Sequence, residues 1–284
     1  MELSGSENED LGEFMFDSST LDEVMGRFSE DGVSIIKGLF ADRLELLVGA
    51  LEAARLSPSP MASLQRDSQN EVVFFTDFFT YRKNQLIRDI VWDNEVVETV
   101  SQIVQSKSLR VFHDHILIKS GAAPETPWHQ DRPYYLVDGP VSCSLWITPD
   151  RVPIQESLQF IRGSHAIGRE FSPVSFRDGQ VIDNRPQFEV LDDEKIRKLQ
   201  QRGVLSFHME PGDALLFDNR VLHKATRSNL PAARRALSIR YLGDGAQLTS
   251  NYVNATPPFD RMGLKVVDKG PLPEEWFPTV RYSA

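Results

Sequence analysis

The sequence predicts an all-β core with flanking helices, an α+β arrangement in which a barrel or sandwich of short strands is covered by a helical layer. One change of pattern predicts it. Up to about residue 108 apolar residues recur mostly at helical spacing; from Leu109 onward they fall in short β-prone runs separated by Pro- and Gly-containing turns. The 284 residues, 40% hydrophobic and 25% charged, suffice to bury one large core without a disulfide or a structural metal.

Residues 1–18 are polar, acidic and aperiodic, and are expected to form a flexible N-terminus. Leu21, Val24, Met25 and Phe28 then share one face of a helix over 20–30, which Gly32 ends. VSIIKGLF reads as a buried strand, followed by an amphipathic helix from about Ala41 to Arg55. Ser57 to Asn70 is rich in Ser, Pro and Met and reads as a loop. Residues 72–81 are aromatic and β-prone, and 85–106 return to helical spacing through Leu86, Ile87, Ile90, Val91, Val96, Val100 and Ile103. The strands expected beyond are LRVFHDHILIK, WHQDRPYYLV, VSCSLWIT, SLQFI, FHM, DALLFD and RRALSIRYL, with a helix inserted over 191–202. No repeat or linker interrupts them. Residues 19–284 therefore read as one domain: a helical and mixed part over about 19–108, a β core over about 109–245 and a C-terminal extension, 246–284.

A formal net charge of −10, from 31 Lys plus Arg against 41 Asp plus Glu, argues against nucleic acid or an anionic membrane as partner. One cysteine, Cys143, admits no internal disulfide; alternating with Val141 and Leu145, it reads as a small buried hydrophobe. The N-terminus lacks a basic and an apolar leader region, and no stretch approaches a membrane span. The expectation is a soluble cytoplasmic protein, monomer or homodimer, acting on a small molecule.

Three features carry chemistry. In WHQD, His129 and Asp131 stand two apart, so on a strand they share a face. With a distant histidine they would complete the two-histidine, one-carboxylate set that binds Fe(II) and leaves positions open; alone, the two residues fit a surface or capping pair better than a metal site. Second, PGDALLFDNRVLHKA is a turn and a buried strand with His223 at its end. Third, on the strand RRALSIRYL, Arg234, Ala236, Ser238 and Arg240 share one face and Arg235, Leu237, Ile239 and Tyr241 the other. An inward Arg/Ser face needs an anion; an outward one needs only water.

The order of these features resembles the phytanoyl-CoA dioxygenase-like family of Fe(II)/2-oxoglutarate oxygenases over most of the chain. FSEDGVSIIKGLF is similar to the family's opening helix and strand, FHDHILIKSG to the strand before the metal loop, SLQFIRGSH to its PGSH segment and PGDALLF…H…RRALSIRY to its closing strands. The resemblance implies a double-stranded β-helix of jelly-roll or cupin-like type, with Fe(II), 2-oxoglutarate and O2 as cofactor and cosubstrates. It implies His129, Asp131 and His223 as iron ligands and Arg234 on the distal carboxylate of 2-oxoglutarate, with Arg235 next in line but on the apolar face. Trp146, His115 and Thr126 would line the cosubstrate pocket. The implied reaction hydroxylates a small organic molecule as 2-oxoglutarate is decarboxylated to succinate. Asp131 sets the chain apart from related halogenases, which have a small residue there.

The chain departs from the family pattern in Arg162 for the proline of PGSH, in Glu156-Ser157 where a glycine is often found, and in Ala225 where a small hydroxyl residue is common. Arg162 reads as a loop charge or as a contact to an anionic substrate. Two other readings stand beside the oxygenase. One is a cupin-type metalloenzyme without 2-oxoglutarate, using His113 and His115; the other is a non-catalytic binding module. His165 and His208 read as structural or solvent-facing. Phe74, Phe75, Phe78, Phe79 and Tyr81 are expected to divide between core and pocket.

Overall fold

The computed structural model describes residues 18–280, apart from 121–122, 124, 177–178, 183–184, 227–232 and 253–254. Residues 1–17 of the expected flexible N-terminus lie outside the described residues. Helix α1 (Ser18–Asp31), β1 (Val33–Ile36), α2 (Leu44–Leu56), β2 (Ser63–Arg66), β3 (Val72–Phe78), α3 (Gln85–Val91) and α4 (Asn94–Val104) come first. The strand-rich part follows: β4 (Leu109–Lys119), β5 (Thr126–His129), β6 (Val137–Asp138), β7 (Ser142–Ile147), β8 (Leu158–Ile161), β9 (Glu170–Phe171) and β10 (Phe188–Glu189). Then come α5 (Asp193–Gln200), β11 (Val204–Ser206), β12 (Ala214–Asp218), β13 (His223–Ala225), β14 (Arg234–Leu242), β15 (Gln247–Leu248) and β16 (Thr279–Val280).

Among the elements that differ from expectation, three lie in the helical and mixed part. The helix over 85–106 is two helices, because Asp93 accepts from the Val96 amide and starts α4 while Asn84 caps α3. The apolar spacing runs through this break and conceals it. Ser57–Asn70 is not all loop, since β2 pairs antiparallel with β3; its four residues are exposed, so no buried face marks it in the sequence. The strand over 72–81 stops at Phe78. Phe79 takes φ +56° and a tight turn follows, its Thr80 and Tyr81 amides donating to the buried Asp114 carboxylate at 3.0 and 3.2 Å.

The large sheet runs β1-β12-β7-β14-β4-β3-β2, with β16 also on β4, and the small sheet runs β11-β8-β13-β5. From β12 the chain crosses to β13 in the small sheet and returns to β14 in the large one, the alternation of a double-stranded β-helix. Strand alternation then divides the core. Cys143, Leu145, Leu237, Ile239 and Tyr241 face outward under α2, α3 and α4, packing with Leu47, Leu51, Ile90 and Val100. Trp146, Phe160, Leu215, Phe217 and Ala236 fill the space between the sheets. That space is incompletely filled, and the opening is where the site lies.

Candidate metal centre and its cavity

A cavity of about 690 Å³ lies between the sheets, with His129, Asp131 and His223 in its wall. These residues form the one group among the described residues in which three metal-ligating side chains bring their ligand atoms within 4.8 Å of one another. His223 and His129 are register partners across β13 and β5, so a backbone ladder sets their separation. Their ring centroids stand 4.2 Å apart. His129 Nδ1 donates to the Pro127 carbonyl at 2.8 Å, and His223 Nδ1 to the Val221 carbonyl at 3.2 Å. A carbonyl only accepts, so each Nδ1 carries the proton and each Nε2 keeps its lone pair for a metal.

Two local expectations are corrected. Asp131 does not share a strand face with His129, because β5 ends at His129 and Asp131 sits in the following turn in a helical conformation. That turn is held by Gln130, which donates to the Arg220 carbonyl at 2.7 Å and accepts from the Phe171 amide at 2.9 Å. His223 does not end the strand ALLFD; it begins β13 after a turn and belongs to the opposite sheet.

Asp131 uses its two oxygens differently. Oδ1 lies 3.5 Å from His129 Nε2 and 3.8 Å from His223 Nε2. Oδ2 accepts from the Tyr135 hydroxyl at 2.9 Å and from Arg240 Nη2 at 3.2 Å. Burial alone would raise this carboxyl's pKa, but the Arg240 guanidinium and the two histidines hold it well below the usual range. Burial, with His129 close by, pushes His223 down to about 3. Two imidazoles and one carboxylate, with Nε2, Nε2 and Oδ1 converging, are a donor set that would hold a divalent iron.

Trp146, His115 and Thr126 all line the cavity. Arg234 is 4% exposed and lies behind the lining, its guanidinium donating to the Glu156 carbonyl. Its register partner on β4, Lys119, is in the lining, with Nζ 3.5 Å from Thr126 Oγ1. Burial and the neighbouring Arg234 push Lys119 down to about 7. Lys119 and Arg234 bring two basic side chains together on this side of the cavity, with the Glu125 carboxylate acting on Lys119. Lys119 is the lining residue that sequence reasoning missed, although the alternation 115, 117, 119 on β4 was the available signal; Arg240 was placed on the Arg/Ser face but given no role at the metal ligands.

Other expectations resolve by contact. Arg235 points outward and donates to Asp150, with Nη2–Oδ1 at 2.6 Å. Arg162 pairs with Glu30 and Asp31 of α1, which places it away from the cavity. Phe74 and Phe78 line the cavity, whereas Phe75, Phe79 and Tyr81 are core. His113 is enclosed by aromatic rings, Phe112 at 4.7 Å and Tyr135 at 5.8 Å, and does not join the metal-ligating group. His165 meets the Ser29 carbonyl and His208 meets Glu210. No helix among the described residues is long and apolar enough to cross a membrane.

A family profile described as phytanoyl-CoA dioxygenase matches residues 28–236. The dioxygenase lolE1 of Epichloe uncinata is 26% identical over 166 residues, 57% of this chain and 56% of that protein, so the match spans little more than half of the relative's length. Among solved structures, the non-heme alpha ketoglutarate dependent epimerase SnoN from nogalamycin biosynthesis superposes with a TM-score of 0.73 at 16% identity, over 93% of this chain and all of that one. EctD from S. alaskensis, solved with 2-oxoglutarate and 5-hydroxyectoine, gives 0.64 at 18% identity over 92% and 84% of the two chains. At such identities the structural likeness is one of fold.

Proposed function

The chain belongs to the phytanoyl-CoA dioxygenase family of non-haem dioxygenases, and from that premise we propose that it hydroxylates a small organic molecule with Fe(II), 2-oxoglutarate and O2. The observation that carries the reading is the convergence of His129 Nε2, His223 Nε2 and Asp131 Oδ1 on one point of the cavity wall. Bound iron and 2-oxoglutarate supply the oxidising chemistry, decarboxylation to succinate accompanying oxidation of a substrate C–H bond.

The chain's own residues orient and exclude. Carbonyl contacts at Nδ1 aim both imidazoles, and Tyr135 and Arg240 hold Asp131 Oδ2 so that Oδ1 faces the metal. Arg234 would hold the distal carboxylate of 2-oxoglutarate, with Lys119 and Thr126 in front of it on the cavity side. Trp146, Leu158 and Phe217 give the cavity an apolar wall that would disfavour water beside the metal.

The test is anaerobic titration of the apoprotein with Fe(II) and then 2-oxoglutarate, following the weak visible charge-transfer band of the chelate. The expected result is a band that saturates at one equivalent and is absent in His223→Ala. Iron binding without the band would return the cupin-type reading to the front; no iron binding would leave a binding module on this fold.

A further inference from the structure

Three buried polar atoms in the cavity wall have no hydrogen-bond partner among the described residues: His115 Nε2, Ser238 Oγ and Arg240 Nη1. They form one patch. Ser238 and His115 are register partners across β14 and β4, and Arg240 is the next residue on the Ser238 face. Ser238 is 1% exposed and Arg240 7%, so neither is exposed to bulk water as an alternative partner. An unpaired buried guanidinium N–H is costly, and three such atoms at one place mark a site built for a ligand.

From this patch we infer a substrate subsite, in which Arg240 Nη1, Ser238 Oγ and His115 Nε2 hold a carboxylate of the organic substrate beside the metal centre; the inference rests on the oxygenase reading above. All three can donate, since the hydroxyl rotates and the imidazole can carry its proton on Nε2. Charge favours an anion over a neutral acceptor. With iron bound to Asp131, and with Arg240, Arg234 and a protonated Lys119 in place, dianionic 2-oxoglutarate leaves the cavity positive. Glu125 and Arg66, both exposed lining residues, offset each other.

The surrounding wall specifies the rest of the ligand. Phe78 stacks on His115 at 4.0 Å, and Phe74, Leu117, Leu64 and Phe176 continue an apolar lining. The substrate class is a small carboxylic acid with an apolar or aromatic body. This moves His115 from the cosubstrate to the substrate. Cosubstrate and substrate both present carboxylates, so the experiment must separate them.

The experiment is anaerobic calorimetry on the Fe(II)·2-oxoglutarate complex, titrated with benzoate, 3-phenylpropionate and hexanoate and with the primary amide of each. At least one carboxylate is expected to bind roughly tenfold or more tighter than its amide. Ser238→Ala and His115→Phe, which keep the packing, are each expected to weaken that carboxylate roughly tenfold while 2-oxoglutarate affinity stays within about twofold. Equal affinity for acid and amide, or no binding by any of the six, overturns the inference. Weakened 2-oxoglutarate with unchanged carboxylate binding gives the patch to the cosubstrate and also overturns it. A complex that fails to form with Fe(II) and 2-oxoglutarate defeats the oxygenase reading instead, so the two failures are distinct.

Discussion

Arg240 and Asp131 form a buried ion pair at 3.2 Å that engages only the carboxylate oxygen not nearest the histidines. The consequence is one-sided: Oδ2 is held by Arg240 and Tyr135, and Oδ1 remains for the metal. Arg240→Gln, checked for folding by its thermal transition, is expected to weaken divalent-metal affinity roughly 10- to 100-fold. An anaerobic Co(II) titration followed by absorption measures this. Affinity unchanged within twofold would show that Tyr135 and the turn alone orient the carboxylate.

Arg234 and Arg235 are adjacent in sequence and opposite in placement, one buried beside Lys119 and the other paired outward with Asp150. Arg234→Gln should weaken 2-oxoglutarate binding roughly tenfold or more and leave metal affinity intact. Arg235→Ala should change neither. Equilibrium titration of 2-oxoglutarate against each Fe(II)-loaded variant decides; a larger effect at Arg235 would reverse the assignment.

Lys119, pushed down to about 7, gives the cosubstrate site a pH dependence. A bound carboxylate favours the charged amine, so binding takes up a proton once the pH exceeds about 7. Affinity for 2-oxoglutarate should therefore fall as pH rises from 7 to 9. In Lys119→Met the affinity should be lower at pH 6.5 and the profile flatter. A variant profile parallel to the parent's would place the titrating group elsewhere.

Metal should stabilise the fold through the same three ligands, because they are buried and converge only in the native state. At a hundred times its dissociation constant, Mn(II) is expected to add about 2.7 kcal/mol. Thermal unfolding with and without Mn(II) measures it. His129→Ala and His223→Ala should remove most of the increase, whereas His113→Ala should retain it.

Buried Asp114 accepts from the Thr80 and Tyr81 amides and so anchors the turn that ends β3. Asp114→Ala leaves buried donors unpaired and is expected to cost about 1–3 kcal/mol in denaturant unfolding. A loss below 0.5 kcal/mol would mean that water replaces the carboxylate.

The sequence by itself determined the strand faces. Successive side chains alternate, so His115, Leu117 and Lys119, or Arg234, Ser238 and Arg240, share a face whatever the strand packs against. The order His129, Asp131, His223 was legible as a motif and not through alternation, since Asp131 sits in a turn; the core side of Cys143, Leu145 and Leu237 did follow from alternation. An exposed edge strand such as β2 was not, because no hydrophobic alternation records it. Only the tertiary structure decided which faces meet: that His223 lies opposite His129, that Asp131 reaches them from a turn, that Arg240 crosses the cavity to its far oxygen and that Lys119 stands in front of Arg234. These are contacts between residues distant in sequence. They depend on register and on the packing of two sheets, which local periodicity does not encode.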